Sequence, residues 1–334
     1  VVNRNAEDDA IYRNRDGQFF ERIANSVVSG TGGDGRSCVF ADFDGDGDPD
    51  LYVGNFVDTS TEPQSRQRNF LYFNQGNFSF TEIQNGDAVE SRALSYGTSA
   101  ADADNDGDLD LFVTNIGKGD QNHLYLNAGD GTFHLHEAGL STPMSTPSKG
   151  HTWGDFDLDG DLDIAIANGT EGTEHIHNQL YLNDGAASFA AITDGDFITH
   201  SSISAGIAWA DIDGDGDLDL YVANWGDGDQ DNAMYQNLSQ GNWLKLSLEG
   251  SESNRMAVGV RVTITTRSGV LPMRQVRWLS SSTGYASQNE PILHFGLGEA
   301  REVATLSIDW PSGHQDTFNN IAANQHLRIR EGDI

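Results

Sequence analysis

Over residues 1–240, short apolar runs of four to six residues, rich in Val, Tyr and Phe, alternate with segments of Gly, Asn and Asp. That length and composition predict β-strands joined by turns, and no 3.6-residue period argues for helices. The runs fall into repeating sets. An apolar stretch, such as 38–41 or 207–210, leads into an aspartate-rich loop. A run ending in Asn follows, at 51–55, 111–115, 164–168 and 220–224. A second run comes after a loop of variable length, at 70–74, 123–127, 179–183 and 233–237, and a Gly-containing turn and a strand such as 78–82 complete the set. Four strands in a repeat of about 50–60 residues is the arithmetic of a propeller blade. The predicted fold class is all-β, a β-propeller of four-stranded blades.

Residues 9–14 match the second run and 18–22 the strand after it, so 1–240 carry four complete repeats plus the back half of a fifth. This predicts about five blades, if a C-terminal segment supplies the inner strands, or part of a larger propeller. Residues 241–334 carry strand-like segments at 244–248, 258–266, 273–279, 292–295 and 303–308, with Gly and Ser turns between them. They read as a β-sandwich-like domain packed on the propeller. Charge draws the same boundary near Gly241. Residues 241–334 hold nine basic and nine acidic groups, whereas 1–240 hold ten basic and 42 acidic ones, the whole of the net −32.

Such acidity excludes a nucleic-acid partner, since little here would neutralise phosphates, and disfavours an anionic membrane surface. No apolar run approaches about 18 residues, so membrane insertion is not expected. No secretory leader opens the sequence, which decides nothing, because a processed chain lacks one as well. The single cysteine, Cys38, rules out an intramolecular disulfide and a Cys-based zinc site.

The four aspartate loops carry the clearest chemistry. They run from 42 to 50, 102 to 110, 155 to 163 and 211 to 219, with starts 60, 53 and 56 residues apart. Carboxylates at positions 1, 3 and 5 of a tight loop aim at one centre, Gly at position 6 permits the turn, position 7 offers its carbonyl and Asp at position 9 closes the shell. The side-chain ligands assigned in this way are Asp42, Asp44, Asp46 and Asp50; Asp102, Asp104, Asp106 and Asp110; Asp155, Asp157, Asp159 and Asp163; and Asp211, Asp213, Asp215 and Asp219. Asp48, Asp108, Asp161 and Asp217 contribute carbonyls. Six to eight oxygens suit Ca2+, while Mg2+ seldom uses an all-protein cage. The loops share the first half of the EF-hand pattern but lack its Glu at position 12. Without a cation, four clustered carboxylates repel one another. About four structural Ca2+ ions are expected, each pinning the hairpin between the first two strands of a blade. Four such ions bring −32 only to −24, and the remaining acidity suggests a salty or extracellular setting.

At these residues the acidic part resembles the FG-GAP/VCBS repeats of integrin α-subunit propellers and of many bacterial secreted proteins. The C-terminal part looks like an ASPIC/UnbV domain, on the segments 254–262, 284–288, 294–298 and 310–313. The combination is similar to the cartilage acidic protein family and its bacterial relatives. The resemblance implies an extracellular, cell-surface or periplasmic protein that binds or adheres, and a propeller commonly of seven blades, from which four and a half repeats depart. It carries over no catalytic residue.

Function is then expected on the propeller face opposite the calcium loops, where loops of variable length meet a fixed scaffold. The candidate ligand-binding residues there are Arg36, Tyr96, Lys149, His151, Trp153 and Trp209. Phe40, Ala100, Trp153 and Trp209 are equivalent positions, two before each first Asp, so the aromatics also fit a packed core between blades. Arg36 and Lys149 are rare cations in this domain and suit a carboxylate or sulfate, or a structural ion pair. Glu171, Glu174, His175 and His177 share one loop, and His134 and His136 alternate along a strand, as transition-metal ligands would. No nucleophile elbow, phosphate-binding loop or dinucleotide fingerprint occurs. The sequence reads as a calcium-stabilised binding protein for a glycan or protein. The alternatives are a polysaccharide lyase or hydrolase working through His151 or the His175/His177 loop, and a structural spacer.

Overall fold

The computed structural model describes the chain apart from residues 1, 4–8, 16, 25, 31, 59–64, 118, 137–145, 171–174, 226–229, 268–272 and 334. Antiparallel sheets follow one another along the acidic part. The first blade orders its strands as Gly35–Ala41, Asp50–Asn55, Phe70–Asn74 and Phe80–Ile83. The second uses Ser95–Ala101, Asp110–Asn115, His123–Asn127 and Phe133–Leu135, and the third Ser148–Gly154, Asp163–Asn168, Gln179–Asn183 and Phe189–Ala191. Among the described residues the fourth has three strands, Ser204–Ala210, Asp219–Asn224 and Ala233–Tyr235. Tyr12–Arg15 and Phe19–Arg22 form a separate hairpin where the sequence has half a repeat.

The two-residue period of a strand explains how one blade serves two neighbours. In the second blade Leu111, Val113 and Tyr125 pack with Val39, Tyr52 and Leu71 of the first. The alternating Phe112 and Leu124 face Ile164, Ile166 and Tyr181 of the third. The third blade repeats the device, since Ala165, Ala167 and Leu180 join Ile207, Trp209 and Val222. Neighbouring first strands approach closely. A Cβ on Gly150 would stand 2.3 Å from the Ala205 carbonyl, so this contact requires glycine.

The C-terminal residues build two sheets around one core. Asn242–Glu249 lies between Leu293–Gly298 and the parallel strand Gln325–Arg330. The other sheet orders Arg274–Trp278, Arg261–Thr266, Glu302–Asp309 and Gln315–Ala322. Leu244, Leu246, Val262, Ile264, Phe295, Leu306 and Ile308 fill the space between, each wholly buried, as in a β-sandwich.

Between these sheets' strands, residues 283–289 run along the first strands of the blades. Thr283 Oγ1 donates to the His151 carbonyl at 3.3 Å, and Ser287 Oγ accepts from Ile207 N at 2.9 Å. Asn289 Oδ1 accepts from Thr152 Oγ1 at 2.7 Å and from Trp209 N at 3.0 Å. Beside them, a cavity of about 880 Å3 is lined jointly by the C-terminal sheets and the aspartate-loop end of the blades.

Candidate metal centres

Each aspartate loop is the hairpin turn between a blade's first two strands. The register pairs Ala41 with Asp50, Ala101 with Asp110, Gly154 with Asp163 and Ala210 with Asp219. The position-6 glycines 47, 107, 160 and 216 take φ of 93°, 103°, 107° and 101°, a region costly for other residues. Carboxylates at positions 3 and 5 accept from the backbone N–H two residues on, as Asp44 does from Asp46 and Asp46 from Asp48. These Asx turns curl the loop around its own centre.

The ninth residue ties the loop to the blade. Asp50 accepts from Phe43 N and Asn74 N, both at 2.8 Å, and Asp110 accepts from Ala103 N at 2.8 Å and Asn127 N at 2.9 Å. Asp163 and Asp219 repeat the arrangement. In every loop, one oxygen from each of positions 1, 3 and 9 lies within 4.8 Å of the others: Asp42, Asp44 and Asp50; Asp102, Asp104 and Asp110; Asp155, Asp157 and Asp163; Asp211, Asp213 and Asp219.

Two observations fit a hard cation to these loops. Asp42 Oδ1, Asp102 Oδ1 and Asp155 Oδ1 are buried and accept no hydrogen bond, a costly state for a carboxylate that nothing ligates. Burial also pushes Asp50 up to about 7, Asp110 to about 8 and Asp163 to about 9, against two backbone N–H bonds at each that act the other way. Carboxyls so placed hold protons near neutral pH unless a cation favours the ionised form. All-oxygen donors in this number suit calcium.

The C-terminal sheets bring their own cations to these loops. Arg277 is buried and donates to the Gly160 carbonyl at 2.7 Å. Burial lowers its pKa, and Asp155, Asp102, Asp161 and Asp163 act in the opposite direction. Lys245 pairs with Asp211, and Arg261 donates to the Gly107 carbonyl at 3.3 Å. Gly296 N donates to Asp155 at 2.8 Å, and Gly298 N to the Leu158 carbonyl at 2.8 Å.

At the opposite end of the blades, Arg36, Tyr96 and Lys149 come together. Arg36 pairs with Asp34 at 3.1 Å, and its guanidinium lies 4.3 Å from the Phe56 ring centre and 5.5 Å from that of Tyr96. Lys149 Nζ lies 5.8 Å from the Tyr96 ring and 5.0 Å from that of Trp225. Tyr285 stacks edge-on against Tyr96 at 4.4 Å. Lys149 is buried and Arg36 largely so, and the open side of the group is Trp225, 57% exposed.

His151, Trp153 and Trp209 sit elsewhere, in or beside the apolar layers between blades. Trp153 Nε1 donates to Ser99 Oγ at 3.0 Å, and Ser99 Oγ lies 2.5 Å from His151 Nε2. Burial lowers the His151 pKa to about 3, so the ring is neutral. Glu171 and Glu174 lie outside the described residues. His175 accepts from Gln230 Nε2 at 2.7 Å, His177 is exposed, and His136 Nε2 donates to the Ala187 carbonyl at 3.0 Å while His134 stays exposed. Among the described residues, aspartates alone form clusters able to hold a metal.

The asparagines at or just after the ends of the third strands in the second, third and fourth blades have a role that no local motif announces. Asn127 Nδ2 donates to the Phe43 carbonyl and Asn237 Nδ2 to that of Phe156, both at 2.8 Å, and Asn183 Nδ2 to that of Ala103 at 2.7 Å. Each ties one blade to the loop of the blade before it. Their recurrence after every second run was the available signal.

Residues 250–334 match the ASPIC and UnbV family, and residues 1–53, 102–166 and 155–222 match the FG-GAP-like repeat family. The chain is 28% identical over 255 residues to cartilage acidic protein 1 of Mus musculus, covering 73% of this chain and 38% of that protein. It is 25% identical over 271 residues to cartilage acidic protein 1 of Homo sapiens, covering 79% and 40%. The Xenopus tropicalis protein of that name is 26% identical over 252 residues, covering 73% and 38%. The chain thus spans about two fifths of the length of these relatives. With its aspartate-looped blades and the C-terminal match, the chain belongs to the FG-GAP-like repeat proteins that carry an ASPIC and UnbV domain.

Proposed function

We propose that the chain is a calcium-stabilised part of an extracellular binding protein, taking an acidic glycan or an acidic protein segment at the end of the blades opposite the aspartate loops. Calcium has a structural task in this reading. About four ions hold the loops through positions 1, 3, 5 and 9, and the charge they supply offsets carboxylate repulsion in each turn. The −32 charge, the absence of a helix long and apolar enough to cross a membrane among the described residues, and the relatives named for cartilage support an extracellular setting.

The observation that carries the ligand reading is the pairing of Arg36 and Lys149 around Tyr96, with Trp225 open to solvent above Lys149. A sugar or aromatic face stacks on an exposed indole, and a carboxylate or sulfate beside it gains from Lys149 and from Arg36, whose charge is shared with Asp34. An enzyme acting through His151 is disfavoured, because that ring is fully buried and engaged with Ser99. The test is an array of glycans and matrix polysaccharides in millimolar calcium, with every retained ligand examined for cleavage. Retention of sulfated or uronic polymers by the native chain and its loss in Trp225→Ala supports the reading. Equal retention of neutral polymers, or unsaturated or shortened products, contradicts it.

A further inference from the structure

We infer that the four loops are unequal calcium sites, and that the fourth, 211–219, is a weak one because Lys245 of the C-terminal sheets already occupies its first ligand. This rests on the calcium reading of the loops. The contrast lies in the first aspartate of each. In the first three loops Asp42, Asp102 and Asp155 keep a buried oxygen that accepts no hydrogen bond. In the fourth, Asp211 Oδ1 accepts from Gly214 N at 2.7 Å, and Oδ2 accepts from Gly216 N at 3.1 Å and from the Lys245 ammonium. Both oxygens of Asp211 are thus engaged, Oδ1 once and Oδ2 twice, and the buried oxygens of this loop that accept no hydrogen bond belong instead to Asp217, at position 7.

Position 3 differs in the same direction. Asp44, Asp104 and Asp157 each accept from the loop's own backbone. Asp213 does so too, and its Oδ2 also accepts from Gln236 Nε2 at 2.7 Å. The cations that reach the second and third loops act otherwise, since Arg261 and Arg277 donate to the carbonyls of Gly107 and Gly160, and Arg277 acts on the charge of Asp102 and Asp155 without a hydrogen bond to either.

Lys245 is held where it is. Its Nζ lies 5.1 Å from the ring of Trp243, the Trp243 indole packs on Gly216, and His294 Nε2 donates to the Gly216 carbonyl at 2.8 Å. A divalent ion entering the fourth loop must displace an ammonium from a largely buried pair or sit beside it, and like charges a few ångströms apart repel strongly even at an effective dielectric of about 20. Affinity about ten- to hundredfold below that of the other loops is the expected result.

The test is calcium titration of the whole chain after chelation, by calorimetry and by native mass spectrometry to count ions. The native protein is expected to fill three sites tightly and a fourth at about ten- to hundredfold higher free calcium. Lys245→Met should draw the fourth step toward the first three, while Lys245→Arg keeps it separate. Asp213→Ala, which touches only the fourth loop, should delete the weak step and spare the tight ones, and Asp44→Ala should delete a tight one. Four indistinguishable sites in the native protein, or a tight site lost in Asp213→Ala, overturns the inference while leaving calcium binding intact. No bound ion at millimolar calcium in any form overturns the calcium reading and this inference with it.

Discussion

Asn183 and Ala103 belong to different blades, and the side-chain amide of the first donates to the carbonyl of the second at 2.7 Å. The acceptor is the second residue of the preceding blade's aspartate loop, and Asn127 and Asn237 make the same contact with Phe43 and Phe156. The loop proposed to hold a cation therefore also positions the next blade. Asn183→Ala removes a buried donor and leaves that carbonyl without it, which should cost about 1–3 kcal/mol in urea unfolding. A loss under about 0.5 kcal/mol, within the range of an ordinary surface change, would count against the latch.

His151 makes the stability of the blades depend on pH. Burial lowers its pKa from 6.5 to about 3, so the folded state binds fewer protons than the unfolded one in acid. Its neutral form costs nothing above about pH 6.5, and stability falls as the pH drops from there toward 3, by about 1.4 kcal/mol per unit. Relative to a His151→Asn variant, the native protein should lose about 2 kcal/mol more between pH 7 and pH 5. Parallel pH profiles would show that this ring is not a source of acid sensitivity.

Ligand binding at the far end of the blades should respond to salt and to one exposed ring. Trp225→Ala should weaken an acidic ligand about tenfold and leave the melting temperature within about a degree, because Trp225 is 57% exposed. Affinity should also fall as ionic strength rises. Binding indifferent to salt would remove Arg36 and Lys149 from the account.

Leu158 is under opposing demands. It holds a left-handed φ of 65° at the loop position where Gly45, Asn105 and Gly214 stand, yet it is 2% exposed and packs beneath Gly241 and Gly296 of the C-terminal sheets. Leu158→Gly relieves about 1 kcal/mol of backbone strain and forfeits about 2–5 kcal/mol of packing. The net expectation is a destabilised protein, read by calorimetry. A more stable variant would mean that the packing contributes less than the strain.

Leu158 also marks the limit of what was legible in the chain. The aspartate loops, the run order and the half repeat at 9–22 are written in contiguous residues, so spacing alone placed them on hairpins and predicted four-stranded blades. Roles set by distant partners were not readable in that way. Nothing near Arg36 announces that Phe56 and Tyr96 enclose it, and nothing near Trp153 or Trp209 shows on which side of a strand they fall. The segment 284–288 carried part of the resemblance, but its place against His151 and Ile207 depends on contacts more than 75 residues away in sequence. Lys245 and Arg277 looked like ordinary cations of a neutral domain until the fold set them against the acidic loops.

The most direct measurement is thermal unfolding of the whole chain in millimolar calcium and again after chelation with EGTA. Each site filled at about 100 times its dissociation constant adds about 2.7 kcal/mol to the folded state. The account predicts a fall in melting temperature well over 10 °C on chelation, restored by calcium and not by equal magnesium. Coincident transitions with and without calcium would contradict it at its centre.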